Sequence, residues 1–155
     1  MRVRDFTPND RELYRQWGTD FFTSPALLHP LDSATIERSF DEAISNRGLL
    51  RGLFLEWEDQ TVGFAFLTFC WSTEKGGKVV WVEDLYIAPE FRGKQLGSQF
   101  FQWLENEYGA DVRRFSLEVA SSNPALRLYE RLGYQKLDYH RMVKENCDLS
   151  KNKNE

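Results

Sequence analysis

Residues 79–101, VVWVEDLYIAPEFRGKQLGSQFF, constrain the fold more than any other stretch of the chain. An apolar and β-branched run (Val79, Val80, Trp81, Val82) is interrupted by two adjacent carboxylates, Glu83 and Asp84. It resumes with Leu85, Tyr86 and Ile87, and stops at Pro89. Such a run reads as a buried strand. Arg92, Gly93, Lys94 and Gly97 follow as a short basic turn, after which Phe100, Phe101 and Leu104 take up helical spacing. A strand, a glycine-containing turn and a helix in that order leave free backbone N–H groups at the positive end of a helix, where an anion binds. The pattern predicts that this turn grips a pyrophosphate.

The flanking segments supply the other elements. Arg2–Phe6 reads as an edge strand. Thr7-Pro8 caps a helix over about Pro8–Phe21, with Leu13, Tyr14, Trp17 and Phe21 on its apolar face. The two prolines in Phe22–Leu31 make that segment a loop, and Asp32-Ser33 starts a second helix carrying Ile36, Phe40 and Ile44. Strands over about Leu49–Glu58 and Thr61–Trp71 are joined by Asp59-Gln60. After the helix that ends near Gly109, Arg114–Ala120 alternates like a strand and Ser122-Asn123-Pro124 opens a helix over Ala125–Leu132. Tyr134–Lys144 supplies one or two final strands. The expected fold is α/β, a mixed sheet with helices on its faces, in one domain over residues 1–144 with a polar tail at 145–155.

Composition narrows the function classes. With 155 residues, 41% of them hydrophobic, the chain can bury one sizeable core. A net charge of -4 argues against general nucleic-acid binding, whose non-specific affinity comes from basic surface. No apolar run approaches the roughly 18 residues of a membrane span, and the N-terminus has no apolar signal core. Cys70 and Cys147 lie far apart without metal-ligand spacing. A soluble, cytoplasmic protein without a metal is expected.

Two stretches, VEDLYIAPEFRGKQLG at 82–97 and LEVASSNPALRLYERLGY at 117–134, together with the element order up to about Lys144, resemble the GNAT superfamily of acyl-CoA-dependent N-acetyltransferases. The resemblance implies a mostly antiparallel mixed sheet of about six to seven strands with about four helices and a splayed strand pair that takes the pantetheine arm of acetyl-CoA. It implies cofactor contacts from Leu85, Tyr86 and Ile87 on the fourth strand, from Arg92, Gly93, Lys94, Gln95, Leu96, Gly97 and Ser98 at the pyrophosphate turn, and from Asn123. Gln95 stands where the family usually has glycine; its side chain either obstructs the phosphate or points away from it. Asn123 before Pro124 is also what helix capping alone predicts, and Tyr129 is also explained as a packed helical tyrosine.

By the same resemblance Tyr129 is the general acid for the departing thiolate. An ordinary tyrosine pKa of about 10 keeps it protonated at neutral pH. Burial of carboxylates inside an apolar strand demands a cleft or a partner, and alternation sends Glu83 and Asp84 to opposite faces unless a bulge intervenes. Similarity to polyamine acetyltransferases selects Glu83 as the base; a salt bridge is the structural alternative, and Glu118 is a weaker candidate for substrate contact. The acceptor expected is a small cationic amine, polyamine-like, in a pocket that includes Phe21, Phe22, His29, Trp71 and Trp81. A protein or peptide N-acetyltransferase and a non-catalytic acyl-CoA-binding regulatory module are the alternatives. His140 reads as structural or surface. Dimers are common in the resembling family, so a homodimer is open.

Overall fold

A computed structural model describes residues 1–24, 31–45, 47–144 and 146. His29 and Cys147 lie outside the described residues. Five strands, β1 (Arg2–Asp5), β2 (Arg51–Trp57), β3 (Gln60–Ser72), β4 (Gly77–Ile87) and β5 (Val112–Leu117), form one sheet in the order β1-β2-β3-β4-β5. The first three pairings are antiparallel and β4–β5 is parallel. A parallel pair needs a crossover, supplied by α3 (Leu96–Tyr108). The other helices are α1 (Arg11–Phe22), α2 (Ser33–Ile44) and α4 (Leu126–Arg131).

The pleat sends alternate side chains to two cores. Leu53, Leu55, Ala65, Leu67, Val80 and Val82 meet Leu96, Phe100, Phe101 and Leu104 of α3. Phe54, Phe64, Phe66 and Tyr86 meet Tyr14 and Phe22 of α1 with Ile36 and Phe40 of α2. The second core is largely aromatic; Tyr14 stands edge-on to Phe64 and Phe66 with centroids 5.3 and 5.4 Å away.

The expected helix starts are realised locally. Asp10 accepts hydrogen bonds from the Thr7 N–H (2.7 Å) and hydroxyl (2.8 Å), so a 3-10 turn over Pro8–Asp10 leads into α1. The Asp32 carboxylate accepts the Thr35 N–H at 2.6 Å and caps α2. The β2–β3 link falls at Glu58-Asp59, one residue earlier than expected, with Trp57 opposite Gln60. Both link residues have positive φ, 49° and 61°, the backbone of a two-residue hairpin turn whose favoured Asn-Gly chemistry is missing here.

Among the described residues the strand count is five, fewer than the six to seven expected, because Tyr134–Lys144 carries no strand. Its alternation supplies propensity, but strand formation depends on packing against neighbours. Leu137, Tyr139, Met142 and Val143 stay exposed instead.

Candidate active site

Two irregularities in β4 build the site. Leu67 lies opposite Val82 and Phe66 opposite Asp84, so Glu83 is an extra residue, a β-bulge. The bulge reverses the phase of alternation. Before it, Val80 and Val82 face α3; after it, Leu85 and Ile87 take that face while Asp84 and Tyr86 turn to the aromatic α1–α2 side. The second irregularity is the end of the β4–β5 ladder at Val82 opposite Leu117, while β4 runs on to Ile87. Past Val82 the two strands part, and the β5-facing edge of Leu85, Tyr86 and Ile87 has no ladder partner on β5. This is the splayed pair that the resemblance implied.

The two carboxylates have different surroundings. Glu83 is exposed and accepts a short hydrogen bond from the Thr68 hydroxyl. Asp84 is half-buried opposite Phe66, and burial, with the neighbouring Glu83 charge, pushes its pKa up to about 7. Desolvation thus places a titration near neutrality on the α1–α2 face. Above Phe64 and Phe66, the buried Tyr14 hydroxyl has no hydrogen-bond partner among the described residues, and its pKa is raised by burial and then by Asp84 and Glu37.

At the end of β4 the chain passes through a 3-10 turn (Pro89–Phe91) into the basic turn. Gly93 (φ 77°) and Gln95 (φ 60°) are both left-handed. The family's usual glycine at the position of Gln95 fits that backbone without strain, and a non-glycine residue holds it at a cost. The Gln95 side chain is exposed and makes no cap hydrogen bond. The first helical bond of α3 runs from the Gln99 N–H to the Gln95 carbonyl, so the N–H groups of Leu96, Gly97 and Ser98 have no intrahelical acceptor. Leu96 is buried and offers only its backbone.

Arg92 donates to the Ile87 carbonyl at 3.0 Å, tying the turn to the end of β4. Lys94 places its ammonium 4.6 Å from the Trp57 ring centroid and 5.3 Å from that of Phe91. The chemistry of this donor set, an uncapped helix N-terminus with a glycine turn, an arginine and a lysine, fits a pyrophosphate, and the parted strands fit an extended pantetheine arm.

The remaining residues arrive through α4. A Cβ on Gly97 would lie 3.0 Å from Leu128 Cδ2, so glycine lets α4 approach the start of α3. That approach sets Tyr129 against Phe101, edge-on at 5.5 Å, on the α3 face of the sheet. Burial raises its pKa, so it remains a proton donor at neutral pH. Asn123 Oδ1 accepts the Ala125 N–H at 2.9 Å, an Asx turn just ahead of α4, whose N-cap position falls on Ala125 rather than on the expected Asn123 and carries no side-chain cap.

Of the pocket aromatics, Phe21 and Tyr86 meet edge-on at 5.8 Å on the α1–α2 face. Trp81 lies on β4 two residues before Glu83. Phe22 is buried in the core, and Trp71 is exposed opposite Lys78, towards the other end of β4. His140 is exposed. Sequence reasoning did not single out Tyr14, whose helical spacing reads as core, or Thr68, whose pairing with Glu83 depends on the β3–β4 register.

Residues 11–134 match the Acetyltransferase (GNAT) family, and the chain belongs to that family, whose members use acetyl-CoA. A thialysine N-epsilon-acetyltransferase of Bos taurus is 35% identical over 78 residues, which are 49% of this chain and 45% of the relative; the match spans under half of that relative's length. The fold is also that of a possible acetyltransferase from Clostridium difficile 630 (TM-score 0.80, 18% identity, covering 94% of this chain and 97% of that one). A predicted acetyltransferase with acetyl-CoA from Clostridium acetobutylicum is similar as well (TM-score 0.72, 19% identity, 92% and 95% covered). Among the described residues no helix is long and apolar enough to cross a membrane.

Proposed function

We propose that this protein transfers an acetyl group from acetyl-CoA to a primary amine on a small cationic, polyamine-like acceptor. One observation carries the reading: the β4–β5 split has a carboxyl group titrating near neutrality on one face of the sheet and a half-buried, protonated tyrosine on the other. The split also leads to an uncapped helix N-terminus. The thialysine N-epsilon-acetyltransferase relative supports an amine acceptor.

The acyl donor supplies the thioester; the chain's residues hold and activate. The N–H groups of Leu96, Gly97 and Ser98, with Gly93, Arg92 and Lys94, receive the pyrophosphate. Gln95 contributes its backbone and Asn123 orders the start of α4. The free edge of Leu85, Tyr86 and Ile87 pairs with the pantetheine amides, and N–H groups of the same segment polarise the thioester carbonyl, where preorganised donors contribute most. An amine entering from the α1–α2 side meets the Glu83–Asp84 carboxylates. Glu83 is the base that the resemblance implies, and Asp84, whose pKa burial raises to about 7, is a second proton acceptor beside it. Tyr129 gives its proton to the departing sulfur from the opposite side.

A cytoplasmic location is consistent with the exposed free thiol of Cys70, and a homodimer is consistent with the family. Thiol-release kinetics with acetyl-CoA against polyamines, lysine analogues and peptides tests the reading. Turnover of small polycationic amines supports it. CoA binding without thiol release from any amine would make the protein an acyl-CoA-binding module, and turnover of peptides alone would make it a peptide acetyltransferase.

A further inference from the structure

The β4–β5 ladder ends at Val82 opposite Leu117; the next residue of β4 is Glu83, and the residue just past the end of β5 is Glu118. Both carboxylates therefore flank the mouth of the split, where like charges repel unless a cation lies near them. Arg141 supplies that cation from the strandless C-terminal segment. Its Nη1 donates to Glu118 Oε1, and its guanidinium carbon lies 5.8 Å from the centre of the Trp81 ring. Glu118 and, more weakly, Glu83 hold the Arg141 pKa above its ordinary value. An aromatic face with two carboxylates is a receptor for ammonium or guanidinium groups, and here one such group is already seated in it. The Arg141 side chain is 62% exposed, and an exposed ion pair favours its partner by roughly five-fold at most. An incoming cation can therefore displace it.

We propose that Trp81, Glu83 and Glu118 form a subsite for a second positive charge on the acceptor, and that Arg141 occupies this subsite in the free protein as an internal competitor. The inference rests on the acetyl-transfer reading for its catalytic consequence, though not for binding. Trp81 and Asp84 are three residues apart on β4, roughly 10 Å of extended chain and less across the bulge. That separation matches an acceptor whose second charge lies about five carbons from the reacting nitrogen. The competitor makes the protein selective, because only an acceptor that binds the subsite better than a tethered arginine gains from it.

The test compares KM for 1,5-diaminopentane with KM for pentylamine, which differ in the second charge. In Arg141→Ala the diamine gains relative to the monoamine by up to about five-fold, and adding Glu118→Gln abolishes the gain. An unchanged ratio in Arg141→Ala, or a gain that survives Glu118→Gln, overturns the proposal. If neither amine is acetylated the small-amine acceptor reading fails, and calorimetric titration of 1,5-diaminopentane decides the subsite separately. Tighter binding to Arg141→Ala than to the unaltered protein supports it, and equal or weaker binding refutes it.

Discussion

Asp84→Asn separates burial from chemistry at the β4 bulge. The carboxyl's pKa rises from 3.8 to about 7 on folding, about three units, with burial as the larger cause and Glu83 the smaller. For an acid with a raised folded pKa the native state keeps a proton that the unfolded chain has released, so stability falls as pH rises between the two values and is lowest above about 7. Three units at ~1.4 kcal/mol each give a ceiling of about 4 kcal/mol. Water at the half-buried carboxylate screens part of this, leaving about 2 kcal/mol.

The asparagine variant lacks this cost. Near pH 3, below both values, the two proteins should melt within a degree or two of each other. At pH 8.5 the variant should melt roughly 4–8 °C higher, at 2–4 °C per kcal/mol for a chain of this size. Thermal unfolding of both proteins at the two pH values is the assay, and taking the difference cancels every other titrating group. A melting difference that is the same at both pH values would refute the assignment of a half-buried, near-neutral carboxyl to Asp84. Glu83→Gln provides an internal check: without its charge the Asp84 pKa falls and the window narrows from its upper end.

Other perturbations probe the rest of the site. Tyr129→Phe should lower kcat by about 10² to 10⁴ with an unchanged circular dichroism spectrum, and full activity in a folded variant would remove Tyr129 from the chemistry. Gln95→Gly should relieve the left-handed strain and add about 1 kcal/mol of stability together with tighter CoA binding by calorimetry; weaker binding would mean that the glutamine makes a contact of its own. Tyr14→Phe removes a buried hydroxyl without a partner among the described residues, so urea unfolding should show unchanged stability or a gain of about 1 kcal/mol. A loss above 1 kcal/mol would instead show that the hydroxyl is hydrogen-bonded.

Sequence periodicity and caps determined much of this protein by themselves. Thr7 with Asp10, Asp32 with Thr35, and Asn123 with Ala125 act within a few residues of one another, so the turn into α1, the cap of α2 and the turn ahead of α4 are local properties of the chain. The turn at residues 92–97 was legible for the same reason, through a motif whose spacing is short, whereas the role of Tyr129 came from the resemblance alone. What the sequence could not decide depends on partners distant along the chain. The bulge at Glu83 exists only through the register with Phe66 and Leu67, and it sets the face to which Asp84 points. Alternation over Tyr134–Lys144 reads as strand, yet a strand needs an edge to join, and here the segment carries Arg141 to Glu118 and Trp81 instead. Tertiary structure therefore decided the electrostatics: two adjacent carboxylates, alike in the sequence, become one exposed and hydrogen-bonded to Thr68 and one half-buried that titrates near neutrality. Desolvation depends on which face of the sheet a side chain occupies.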